Sequence, residues 1–130
     1  MRRTVATSAF YPGWLASLPE DLAAIKQAIA TQDFTALGRI TEANGLKMHA
    51  TTLAAVPPFT YWSPQSLLAM DLVRQLRATG TECYFTMDAG PNVKVLCRRQ
   101  DEAAVQQAFS NSFSSDRLIL AHAGPGISYL

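Results

Sequence analysis

Apolar positions recur at helical spacing over most of the first two-thirds of the chain and at strand spacing near residues 82 to 97, so the pattern predicts helices first and strands afterwards. Residues 1 to 8 read as a short strand with thin apolar content. Phe10 to Leu15 reads as a helical turn or loop with Phe10 and Trp14 turned inward. From Pro19 an amphipathic helix is expected, with Ser17 or Leu18 near its cap and Leu18, Leu22, Ile25 and Ile29 at helical spacing. Asp33 is placed to cap a second helix running from about residue 33 to 54, whose interior Gly45 costs on the order of 1 kcal/mol against Ala and so marks close backbone packing. Val56 to Trp62 contains Pro57-Pro58 and reads as an ordered loop anchored by Phe59, Tyr61 and Trp62. Ser63-Pro64 opens a third helix with Leu68, Leu72, Val73 and Leu76 as its buried stripe and Gly80 as its stop.

Residues 82 to 97 read as two strands joined at Ala89-Gly90-Pro91. If Asp88 faces Asn92, opposed residue numbers sum to 180, which sets Met87 beside Val93, Phe85 beside Val95 and Cys83 beside Cys97 on one apolar face. The other face carries Tyr84, Thr86 and Asp88 opposite Asn92, Lys94 and Leu96. Beyond the hairpin the pattern predicts a short helix from Asp101 to Phe109, a polar loop from Ser110 to Ser115, a third strand from Arg117 to His122, and a turn at Ala123-Gly124-Pro125-Gly126 into a last strand, Ile127 to Leu130. Helices followed by strands broken by one helix make an α+β domain with an antiparallel sheet covered on one face.

A chain of 130 residues, 48% hydrophobic and 16% charged, is expected to fold as a single domain spanning residues 1 to 130. Eleven basic against ten acidic residues leave no strong field toward nucleic acid or a membrane surface. No apolar run approaches the roughly 18 to 20 residues of a membrane span, and a cytoplasmic location is expected. Two cysteines are too few for a disulfide framework or a zinc site. Cys83 and Cys97 are expected opposite each other and reduced.

Asp88 is the candidate for chemistry. It ends a strand on the polar side, and Gly90, lacking a side chain, lets a ligand approach the backbone beside the carboxylate, the setting of a general base. The same residue before Ala-Gly-Pro also fits an ordinary turn-forming aspartate, and spacing alone leaves both open. His49 reads either as acid, base or ligand or as a helix histidine with a satisfied ring; no second ligand stands four residues away, which favours the latter. Neither Gly-x-x-x-x-Gly-Lys-Ser/Thr nor Gly-x-Gly-x-x-Gly occurs, so the glycine loops carry no nucleotide signature.

Tyr84-Phe85-Thr86-Met87-Asp88-Ala89-Gly90-Pro91-Asn92 resembles the signature of the diphosphomevalonate decarboxylases, within the GHMP kinase superfamily. The resemblance extends through Met1 to Val5, Asn44 to Leu53, Pro57 to Trp62 and Ala123 to Ile127, in the family's order. It implies the ferredoxin-like C-terminal half of a GHMP-type enzyme, with Met1 the start of a fragment and the N-terminal ATP-binding domain absent. The implied reaction is ATP-dependent conversion of mevalonate 5-diphosphate to isopentenyl diphosphate, releasing carbon dioxide, ADP and phosphate. Asp88 would be the general base on the 3-hydroxyl, acting late or with a raised pKa, and Ala89, Gly90, Asn92, Met1 and His49 would lie near the substrate. ATP and Mg2+ would be held mainly by the N-terminal domain, itself a partner, and a homodimer is a further expectation. A related mevalonate or phosphomevalonate kinase or decarboxylase, and a stand-alone ferredoxin-like binding or dimerisation module, are the alternatives.

Overall fold

The structure, a computed structural model, describes residues 2–126. Its elements are α1 (Arg2–Thr7), α2 (Tyr11–Ala30), α3 (Phe34–Leu53), α4 (Pro64–Ala78), β1 (Cys83–Met87), β2 (Val93–Cys97) and α5 (Glu102–Ser110), with single 3-10 turns at Arg99–Asp101 and Ser115–Arg117. This is an α+β arrangement of five helices and a two-stranded antiparallel sheet.

The hairpin register is the one expected from the sequence, with Cys83 opposite Cys97, Phe85 opposite Val95 and Met87 opposite Val93. That face meets Ala69, Met70 and Val73 of α4 and Val105 and Phe109 of α5, and together they form the core. Both cysteines are free thiols. The opposite face is not open, which corrects the expectation of a sheet covered on one side only. Tyr84 has a large ring to bury, and α3 supplies the cover: Phe34 packs edge-on to it at 5.9 Å, and a Cβ on Gly38 would lie 1.9 Å from the ring. Further along α3, a Cβ on Gly45 would come within 3.1 Å of the Thr86 hydroxyl, so this glycine does mark close packing.

The caps of α3 and α4 follow the sequence. Asp33 accepts a 2.9 Å bond from the Ala36 amide, and Ser63 and Ser66 form a reciprocal capping box before Pro64. Gly80, at φ +96°, ends the α4 segment in the left-handed region. Of the expected stripe on α4, Val73 is buried and Leu72 and Leu76 pack against the core, while Leu68 is exposed and Ser66, Ala69 and Met70 are buried in addition.

Four further expectations are corrected. Residues 2–7 are helical: with no sheet edge to pair with, a strand would leave its backbone groups unbonded, whereas a helix bonds its own. The helix expected from Pro19 begins at Tyr11 and runs through that proline. Pro12 suits its first turn, and packing against α3 on both sides of Pro19 outweighs the lost hydrogen bond; Lys47 reaches Asp21 at 2.8 Å and Ser17 at 3.2 Å, and Asn44 donates to Asp21. Phe10 is 59% exposed and not turned inward. Residues 118–122 form no strand: Ile119 is 92% exposed, and His122 contacts Glu102 of α5 at 2.8 Å instead. The expected last strand and Met1 lie outside the described residues. No helix among the described residues is long and apolar enough to cross a membrane.

Candidate functional site

Asp88 is the first residue after β1. Because Met87 is locked into the core, the next side chain emerges on the opposite face, and its carboxylate stands 86% exposed at the end of the hairpin. The turn beneath is fixed twice. The Gly90 amide donates to the Asp88 carbonyl at 2.8 Å, and the Ser66 hydroxyl, part of the α4 capping box, donates to the Pro91 carbonyl at 2.7 Å. Gly90 does not need the left-handed region here. The space its missing Cβ would fill is empty, so the approach to the carboxylate is open on that side.

Lys94 of β2 places Nζ 2.5 Å from Asp88 Oδ2. Hydrogen bonding to that ammonium, and then its charge, hold the Asp88 carboxyl below the usual carboxylate range. The environment of this chain thus lowers the Asp88 pKa and does not raise it.

His49 of α3 lies beneath the turn, fully buried, with its ring 6.0 Å from that of Tyr61 and 5.5 Å from that of Trp62. Neither ring nitrogen makes a hydrogen bond of good geometry, and the Asp88 backbone stands in a weak hydrogen-bonding relation to the ring, so the expected satisfaction of this histidine is at most partial. Burial pushes its pKa down; the Asp88 backbone and charge oppose that with smaller effect. Ala89 covers a small apolar cavity shared with Val5 of α1, Trp14 of α2 and Tyr61. Thus Asp88, Ala89, Gly90, Asn92 and His49 gather at one end of the hairpin, and Met1 falls outside the described residues.

A larger cleft, about 640 Å³, opens at the other end, between α3, the end of α4 and the start of β1. Four of its five charged groups are engaged with each other: Arg77 forks onto Glu42 at 2.9 and 3.0 Å, and Arg98 meets Glu82 at 2.7 Å, while Arg39 also lines the cleft. Glu42 also accepts from the Phe85 amide, so the network ties α3 to β1. Its nearest lining residue on β1, Tyr84, lies about 13 Å along the strand from Asp88 by strand rise alone. Among the described residues no group of three or more His, Cys, Asp or Glu is placed to hold a metal ion.

Sequence reasoning put Lys94 on the face of Asp88 without giving it a role, although the register already made it a diagonal neighbour. Ser66 as the anchor of the turn had no local signal.

The family described as Mevalonate 5-diphosphate decarboxylase C-terminal domain matches residues 1–123. A solved structure of the mevalonate diphosphate decarboxylase from Enterococcus faecalis, concerned with mevalonate diphosphate mediated ATP binding, is 59% identical with a TM-score of 0.88 over 91% of this chain and 37% of its own. A solved complex of MDDEF with MVAPP, AMPPCP and magnesium is 60% identical, with a TM-score of 0.87 over 90% of this chain and 36% of its own. The diphosphomevalonate decarboxylase of Aspergillus fumigatus is 40% identical over 108 residues, 81% of this chain and 27% of the relative. The chain therefore spans well under half the length of the proteins it matches.

Proposed function

The chain belongs to the mevalonate 5-diphosphate decarboxylase C-terminal domain family, and from that premise we propose that it supplies the base-bearing part of an ATP-dependent diphosphomevalonate decarboxylase. The observation that carries this reading is the exposed Asp88 carboxylate, presented by a pinned turn with open space beside Gly90. As the 3-hydroxyl of mevalonate 5-diphosphate attacks the γ-phosphoryl group of ATP, its proton passes to Asp88, the new oxygen–phosphorus bond forms, and ADP leaves. The phosphorylated tertiary carbon then loses phosphate while the carbon–carbon bond to the carboxylate breaks, giving isopentenyl diphosphate and carbon dioxide. Phosphoryl transfer asks for positioning and charge neutralisation, so a well-placed carboxylate is a sufficient contribution from this side.

No group of three or more His, Cys, Asp or Glu gathers among the described residues. We assign ATP and Mg2+ to an N-terminal ATP-binding domain of a longer, cytoplasmic enzyme, with this chain as its ferredoxin-like C-terminal domain. The complex of the similar MDDEF with MVAPP, AMPPCP and magnesium supports the choice of substrate, nucleotide and metal. The Asp-Ala-Gly-Pro-Asn setting of Asp88 favours a decarboxylase over a mevalonate or phosphomevalonate kinase. A stand-alone dimerisation module is the second reading, favoured by Leu15, Leu22 and Ile29, which stand exposed at seven-residue intervals on α2; light scattering on the chain tests it, a monomer counting against it.

In the enzyme formed with its upstream half, D88N is expected to lower kcat in a coupled ADP assay by about 10²- to 10⁴-fold, the usual contribution of a general base. An unimpaired variant rejects the assignment.

A further inference from the structure

Resting on the reading of Asp88 as the base, we propose that Lys94 is its positioning residue, holding Oδ2 so that Oδ1 is turned toward the substrate's hydroxyl. Lys94 pairs with Thr86 across the penultimate rung of the hairpin, and strand alternation puts Thr86, Asp88 and Lys94 on one face. The last rung, Met87 with Val93, belongs to the core, and the turn is held by the Gly90 amide and the Ser66 hydroxyl. Both partners of the 2.5 Å contact are thus carried on fixed backbone.

An exposed ion pair ordinarily contributes little, because water screens it. This one differs in where it stands. A substrate and a covering domain that exclude water from Asp88 strengthen every charge interaction left inside. The groups acting electrostatically on Asp88 are Lys94 from β2 and His49 from α3. His49 is buried with its charged form disfavoured, which leaves Lys94 as the cation that keeps the carboxylate ionised and oriented.

The test compares K94M and K94R in the enzyme joined to its upstream half, together with an NMR titration of the Asp88 carboxyl in the 130-residue chain. In K94M, kcat is expected to fall roughly 10- to 100-fold with KM within about twofold, as befits a misplaced but chemically intact base. The acidic limb of the pH–rate profile and the Asp88 titration should both move to higher pH, and K94R should return both toward the parent. A limb or titration that stays put overturns the proposal. So does a K94M variant that raises KM with kcat unchanged, which would make Lys94 a substrate-binding group. The two failures are separable: an active D88N removes the base itself, whereas an inactive D88N with an unmoved K94M limb removes only the role of Lys94.

Discussion

His49 has no exposed surface, and its ring nitrogens make no hydrogen bond of good geometry, the Asp88 backbone acting on the ring only weakly. Burial lowers its pKa below the ordinary 6.5. The unfolded chain therefore takes up a proton near pH 6.5 that the folded chain refuses, and the histidine's effect is neutral above that value and increasingly destabilising below it. The melting temperature of the chain is expected to fall between about pH 7 and about pH 5 through this group. His49→Phe, which keeps a ring edge-on to Tyr61 and against Trp62, should be within about 1 kcal/mol of the parent at neutral pH and should lose that part of the slope. The window does not overlap that of Asp21, whose pKa Lys47 depresses below 3.8 and whose contribution is lost only at stronger acidity. Parallel melting curves for parent and variant would show that the buried ring does not control the acid response.

Two glycines of α3 test how that helix is seated on β1. An alanine in mid-helix gains about 1 kcal/mol over glycine, so both substitutions start with a stabilising term. At Gly38 the added Cβ would sit 1.9 Å from the Tyr84 ring, which is held between Phe34 and the Arg77 guanidinium and has no room to retreat. Overpacking of this kind costs about 1 to 3 kcal/mol or more, so G38A is expected to lower the unfolding free energy by a net of up to about 2 kcal/mol, read as a lower urea midpoint. At Gly45 the nearest atom is the Thr86 hydroxyl at 3.1 Å, a contact that a small shift relieves, and G45A should stay within about 1 kcal/mol of the parent. Equal effects at the two positions would contradict the packing described. Gly45 was read as a close-packing site from its place inside a helical pattern; Gly38 gives the same signal in the same helix, and only the Tyr84 ring above it shows that the tighter contact is there. The hairpin register was legible to the residue because period-two alternation and the turn leave one consistent pairing, as were the caps at Asp33 and Ser63. The start of α2 was hidden by Pro19, whose local penalty is overridden by α3, and the strand expected near residue 120 was hidden because its alternation says nothing about whether a sheet edge is there to receive it. At the site, the position of Asp88 came from alternation, while its ion pair with Lys94 depends on side-chain directions that a register alone does not give.

The division of labour assigned to the longer enzyme has a consequence for the chain by itself. A ligand that binds only the folded state stabilises it by RT ln(1 + [L]/Kd), about 2.7 kcal/mol when the ligand is at a hundred times its Kd, enough to move a melting temperature by several degrees. For ATP the chain offers neither glycine-rich phosphate signature, and two of the three arginines that line its large cleft, Arg77 and Arg98, are already engaged with Glu42 and Glu82, with Arg39 the third. Withdrawing either arginine toward a nucleotide would leave a carboxylate of the α3–β1 network unpaired, and Glu42 in addition holds the Phe85 amide. The chain is therefore expected to show no melting shift with ATP and magnesium and to release no carbon dioxide from mevalonate 5-diphosphate, whereas the same chain joined to its upstream half should do both. A shift of several degrees in the chain alone would mean that the arginine-lined cleft opens to phosphate, and would move the nucleotide to the end of the hairpin remote from Asp88, where transfer to an alcohol at that carboxylate is geometrically out of reach.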